Sequence, residues 1–368
     1  MMRPSLSSLV AELPSTVPFV GPEAQERARG EGFKARIGAN ESVFGPSDMV
    51  VQAMQAEAIE AWKYCDPECH DLKQALAAWH GVSPDNILVG EGIDGLLGVT
   101  ARLFVEPGDK VATSSGAYPT FNYQVAGAGG DIVTTAYVED REDPASLLAL
   151  AKRENAKMIY LANPDNPMGT WWRGAEIDTM IKDLPEGVVL CLDEAYGEFA
   201  PAGTMPDLDV HNPQVLRFRT FSKAYGMAGC RIGYIIGEAE IIRAFDKIRN
   251  HFGVNRIAQA GALAALADND WLEAVIMRVH SARDRICRIA HDNGLETVAS
   301  ATNFVAIDCG RDGAFAKAVM EGLLAQGVFV RMPGVEPLNR CIRVSAGRED
   351  DLDCFEAALP VALANAGR

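Results

Sequence analysis

The sequence predicts an α/β fold, with a large domain on a mainly parallel seven-stranded sheet and a smaller α+β domain after it. Three observations carry the prediction. Between residues 46 and 240, seven short apolar runs alternate with helical patterns, the grammar of strand–helix–strand units. Several of those runs are apolar almost without a break, as strands buried on both faces are. After residue 240 the alternation stops, and long helical stretches come before three strand-like runs.

Residues 1–45 form the first segment. Stretches such as LPSTVPFVGPEAQ and ANESVFGPSD are rich in proline and glycine, which break regular structure, so an extended arm is expected. The large domain, 46–240, takes its strands from NILVG, KVATSS, DIVTTAYV, KMIYLAN, VVLCLDE, VLRFRTF and IGYIIG. Between them, GIDGLLGVTARLF sets Leu96, Thr100, Leu103 and Phe104 on one helical face, and DPASLLALAKREN is similarly amphipathic. In the small domain, 241–368, EIIRAFDKIRNHF, NRIAQAGALAALA and WLEAVIMRVHSARDRICRIAHDNG read as helices. NFVAIDCG, VFVRMPG and CIRVSAG read as strands, and a last helix starts at Asp350.

Composition narrows the function. With a net charge of −16 the chain lacks the basic face that a polyanion needs, so no nucleic-acid partner is expected. Any phosphate must be held by local features against that overall field. The cysteines at 65, 69, 191, 230, 287, 309, 341 and 354 are scattered and form no CxxC. CDPECH lacks a second ligand cluster at zinc spacing, so no metal site is expected and these read as buried or incidental thiols. The first residues have no signal-peptide core, and no stretch could span a bilayer. A reducing, cytoplasmic setting and no membrane partner follow.

Four segments then share one pattern, an apolar strand ending in polar residues: ILVGEGIDGLL, YLANPDNPMGT, LCLDEAYGEF and FRTFSKAYGMAGCR. In an open α/β sheet, ligands collect beyond the carboxyl ends of the strands. The turn Gly90–Asp94, Asn166, Asp193, Tyr196 and Lys223 can therefore converge. Lys223 and Arg231 stand among Gly226, Gly229 and Gly233, a setting in which backbone can approach a ligand closely.

Order and spacing of these segments resemble the fold-type I aminotransferases that use pyridoxal phosphate, along nearly the whole chain. The resemblance is closest to the histidinol-phosphate aminotransferase family. ANESVFGPS, KYCDP, VGEGIDGLL, AYPTFNY, NPDNPMGT, DEAYGEF, SKAYGMAGCRIGY and CIRVSAG carry it.

The resemblance implies a catalytic set of Lys223, Asp193 and Tyr196. Lys223 joins the cofactor aldehyde and moves the proton, work that requires a reachable neutral amine. Asp193 pairs with the ring nitrogen, Tyr196 and Asn166 bind the ring oxygen, and Tyr118 stacks on the ring. The N–H groups of Gly92, Ile93 and Asp94 open a helix and, with Ser222 and Arg231, hold the phosphate. Tyr64 reaches the phosphate in the neighbouring subunit, which implies a homodimer with shared active sites. Arg343 meets a substrate carboxylate and Arg331 a substrate phosphate, with Asn40 also on the substrate side.

Three positions depart from the family pattern. Phe19 and Phe44 stand where tyrosine is usual, removing a donor and making the entrance more apolar. Met168 replaces a threonine, with little effect expected. The implied reaction is ping-pong transamination between histidinol phosphate and 2-oxoglutarate. The rivals are an aromatic or broad-range amino-acid aminotransferase and a phosphothreonine-type decarboxylase in which Arg343 holds a phosphate.

Overall fold

The computed structural model describes residues 3–15 and 20–367. Among the described residues the strands form sheets of seven, three and two. The large sheet runs in the order Ile87–Gly90, Gly233–Ile236, Val215–Thr220, Val189–Asp193, Met158–Ala162, Lys110–Ser114 and Asp131–Thr135. Gly233–Ile236 is antiparallel to both neighbours, and the remaining pairs are parallel. Two antiparallel steps restore direction, so Ile87–Gly90 points the same way as the parallel strands. Its end at Gly90 therefore lies on the same sheet edge as Ala162, Asp193 and Thr220.

The apolar runs have a direct physical cause. Met158–Ala162 and Val189–Asp193 are buried at every position because helices cover both faces. Side chains alternate: Met158, Tyr160 and Ala162 join the cluster under helices Gly92–Phe104 and Pro119–Ala128. Ile159 and Leu161 join the opposite cluster under Pro144–Glu154 and Gly174–Lys182.

The three-stranded antiparallel sheet has the order Cys341–Ser345, Phe304–Asp308, Glu296–Thr297. Helices Asn269–Asp292 and Gly313–Ala325 pack with it, and helix Glu349–Ala366 packs on both of them. The arm's end is tied here, because Ala35–Arg36 pairs in parallel with Val328–Phe329 and Ser345 donates its N–H to the Ile37 carbonyl. Helix Arg256–Ala267 instead packs against helix Asp48–Ala58, where Gly261 meets Met54 and Met227.

Three elements differ from the expectation. The arm, expected to be extended, holds helices Ser8–Glu12 and Pro22–Arg29, the first capped by Ser7 and the second opened by a proline at its start and closed by Gly30 in the left-handed region. The helix expected over EIIRAFDKIRNHF is confined to Ala239–Ala244 and a 3-10 turn at Phe245–Lys247. The chain then turns so that Asn250 Nδ2 donates to Glu91 Oε1 at 3.0 Å, and a Cβ at Gly253 would collide with the same Glu91. Tertiary contact thus ends the helix despite its apolar spacing. VFVRMPG holds strand only at Val328–Phe329, followed by an isolated bridge between Arg331 and Arg343. Among the described residues no helix is long and apolar enough to cross a membrane.

Candidate active site

Lys223 sits in the loop leaving strand Val215–Thr220. Thr220 Oγ1 accepts the Ser222 N–H at 3.0 Å and donates to Ser222 Oγ at 2.9 Å, which sets the loop's entry. Gly226, at φ 70°, donates its N–H to the Lys223 carbonyl, and a Cβ there would run into the backbone of Gly45 and Pro46. Glycine is required on both counts, conformation and space. Lys223 Nζ donates to the Asn40 carbonyl at 3.1 Å and lies 5.5 Å from the Tyr196 ring centre. Burial, with Arg343's charge behind it, lowers its amine to about 8.

Asn40 ties the loop after strand Val189–Asp193 to the three-stranded sheet. In the left-handed region at φ 56°, it donates from Nδ2 to the Tyr196 hydroxyl and accepts at Oδ1 from Ser345 Oγ, both at 3.0 Å. Its carbonyl also accepts from Asn303 Nδ2. Burial lifts the Tyr196 hydroxyl above its ordinary range, so it stays protonated.

Asp193 ends its strand buried. Oδ2 accepts from the Tyr160 hydroxyl at 2.7 Å and Oδ1 from the Ala195 N–H at 2.9 Å. Burial raises its carboxyl to about 6, against the pull of those donors.

A cradle lies where helix Gly92–Phe104 begins. No side chain caps that end, so its first N–H groups stay available. Gly92 has φ 73°, and a Cβ there would come 2.5 Å from Arg231 Nη2. Arg231, itself at φ 52°, reaches Ser222 Oγ at 3.4 Å, and its Nη2 stands 3.6 Å from Asp94 Oδ2. Asp94 Oδ1 accepts from Tyr118 OH at 2.7 Å.

On the other side, Arg343 Nη1 donates to Asn166 Oδ1 at 2.5 Å, while its buried Nε has no hydrogen-bond partner among the described residues. Arg331 and Arg343 are cross-strand neighbours through both backbone hydrogen bonds. Burial and Arg343's charge lower Arg331 to about 10, and its Nη2 donates to the Val20 carbonyl of the arm.

The structure thus brings together Asn40, Gly92, Asp94, Tyr118, Asn166, Asp193, Tyr196, Ser222, Lys223, Arg231, Arg331 and Arg343, with Ile93 in the first turn of the cradle helix. Tyr64 stands apart, 82% exposed, its ring 5.1 Å from Phe252. Phe44 packs on the core with Arg278 over its ring. Phe19 lies outside the described residues. Met168 is fully buried against Ala306, Leu338 and Cys341.

Several participants escaped the sequence reading. Asp165, read as turn chemistry in NPDNP, is buried and accepts from Tyr137 OH and the Met168 N–H, both at 2.8 Å. Glu142 is buried beside it, and burial raises both carboxyls, Asp165 to about 7. Tyr160 looked like one more apolar strand residue. Ser345, inside CIRVSAG, and Asn303 were not singled out.

These residues fit pyridoxal phosphate. The uncapped helix end, opened by a glycine against Arg231, suits a dianion. The buried Asp193 suits a cationic ring nitrogen, and the lowered Lys223 amine suits an aldehyde. Fold and site together define a fold-type I pyridoxal-phosphate enzyme. A family model for class I and II aminotransferases matches residues 34–359. Histidinol-phosphate aminotransferase 1 of Mesorhizobium japonicum is 34% identical over 330 residues, covering 88% of this chain and 89% of the relative. The Moorella thermoacetica histidinol-phosphate aminotransferase is 32% identical, covering 95% and 92%. The crystal structure of the Sinorhizobium meliloti histidinol-phosphate aminotransferase with pyridoxal-5'-phosphate superposes with a TM-score of 0.95 at 54% identity, covering 98% of this chain and 97% of the other. The chain belongs to the class I and II aminotransferases, in the histidinol-phosphate aminotransferase family, and pyridoxal phosphate is its cofactor.

Proposed function

We propose that this enzyme exchanges an amino group between histidinol phosphate and 2-oxoglutarate, as a cytoplasmic homodimer whose active sites are shared. The 54% identity to the Sinorhizobium meliloti histidinol-phosphate aminotransferase over nearly the full chain carries the substrate reading. Arg331 and Arg343, paired through their backbones and close enough for Arg343's charge to act on Arg331, supply its chemistry. Eight free cysteines suit the compartment.

Bound pyridoxal phosphate supplies an electron-accepting ring that stabilises negative charge at the substrate's Cα. Lys223 Nζ, held by the Asn40 carbonyl, takes the proton from that carbon and would deliver it to the cofactor carbon that receives the amino group. With its amine lowered to about 8, a usable share is neutral near physiological pH. Asp193 keeps the ring nitrogen charged, and Tyr196 and Asn166 orient the ring through its oxygen. Tyr118 covers one face. The N–H groups of Gly92, Ile93 and Asp94, with Ser222 and Arg231, hold the phosphate. Arg343 grips a carboxylate such as that of glutamate, Arg331 grips the substrate phosphate, and Asn40 links both sides. Tyr64, exposed beside Phe252, is free to reach the second subunit's cofactor phosphate. In this reading residues 1–45, 46–240 and 241–368 serve as arm, large domain and small domain.

Steady-state kcat/KM values across a panel of donors test the proposal. Histidinol phosphate should exceed phenylalanine by a wide margin. A higher value for phenylalanine would make the enzyme an aromatic aminotransferase.

A further inference from the structure

Tyr160 lies on strand Met158–Ala162, paired with Cys191 of the strand that ends in Asp193. It is 1% exposed, and its ring stacks on Phe121 with centroids 4.5 Å apart. Stacking and burial leave the hydroxyl little freedom, and it points at Asp193 Oδ2, 2.7 Å away. A phenol has one proton to donate. Burial, reinforced by Asp193's charge, holds that proton in place well above the ordinary phenol range. Tyr160 is therefore a standing donor to one carboxylate oxygen, while the Ala195 N–H serves the other.

We propose that Tyr160 is a positioning residue for the cofactor, acting through Asp193, whose carboxylate it holds in one orientation for the ring nitrogen. The proposal rests on the reading of Asp193 as the ring-nitrogen partner. The surroundings explain the need for such a donor. Burial disfavours charge on Asp193, and Asp94 and Glu194 disfavour it further. Glu142, Cys191 and Tyr196 also lie within its field. Tyr160 and the Ala195 N–H oppose these effects. A hydrogen bond to a charged group is worth more than a neutral one, and more again where water is excluded.

The test compares apoenzyme affinity for pyridoxal phosphate with affinity for its 1-deaza analogue, which has C–H in place of the ring nitrogen. Wild type should prefer pyridoxal phosphate. Tyr160→Phe should lose about tenfold or more in affinity for pyridoxal phosphate and almost none for the analogue. In an Asp193→Asn background the same change should cost nothing further. Equal losses for both ligands, or undiminished preference in Tyr160→Phe, would overturn the proposal while leaving Asp193's role intact. If wild type and Asp193→Asn show no preference between the ligands, the underlying reading of Asp193 falls as well. Should Tyr160→Phe not fold, Tyr160→Met decides the question, because it also removes the donor to Oδ2 and must likewise shrink the preference.

Discussion

Replacing Gly92 with alanine tests the phosphate cradle with one methyl group. The structure predicts two separable effects. Gly92 holds φ 73°, where a Cβ costs roughly 1–2 kcal/mol. That cost falls on the fold with or without cofactor. The methyl would also come 2.5 Å from Arg231 Nη2, so the guanidinium must move away from the helix end. A charge-assisted contact to a phosphate is worth about 1.5–3 kcal/mol, roughly ten- to a hundredfold in affinity. Equilibrium dialysis of the apoenzyme should show that loss for pyridoxal phosphate. Pyridoxal, which lacks the phosphate, should bind with nearly unchanged affinity. Denaturant titration should report the strain independently. A variant that loses stability yet binds pyridoxal phosphate as wild type does would refute the assignment of Arg231 and Gly92 to the phosphate.

Borohydride reduction of the holoenzyme should leave the label on Lys223, and Lys223→Ala should turn over orders of magnitude more slowly; a label on another lysine, found by peptide mapping, would displace it. Arg331→Ala should lower kcat/KM about ten- to a hundredfold for histidinol phosphate and little for phenylalanine, whereas Arg343→Ala should damage both reactions. Asp165 has its carboxyl raised from 3.8 to about 7 by burial, so the folded state binds a proton that the unfolded chain releases. Its contribution is complete below about pH 4 and is lost as pH rises through about 7. Asp165→Asn should therefore gain Tm relative to wild type between pH 5 and pH 8, and an unchanged difference would mean that Asp165 titrates normally.

Much of this molecule was readable from residue order alone. Runs such as MIYLA and VLCLD announce strands covered on both faces, and polar residues at their ends mark the edge where a ligand collects. DEAY and SKAYGMAGCR carried a family resemblance, and that resemblance implied the tasks of Lys223, Asp193 and Arg231. Periodicity reports only which face a residue takes, not which polar group waits across the sheet. Tyr160 therefore read as core until its hydroxyl was seen on Asp193. The helix expected through residue 252 ended early because Gly253 must close on Glu91, a contact absent from local propensity. Asn40 meets Ser345 across 305 residues of chain and holds Tyr196 and Lys223 from the other side. Local pattern selects elements through short-range sterics and burial. A hydrogen bond between distant segments exists only once packing has set their separation, so the orientation of the site belonged to the tertiary structure.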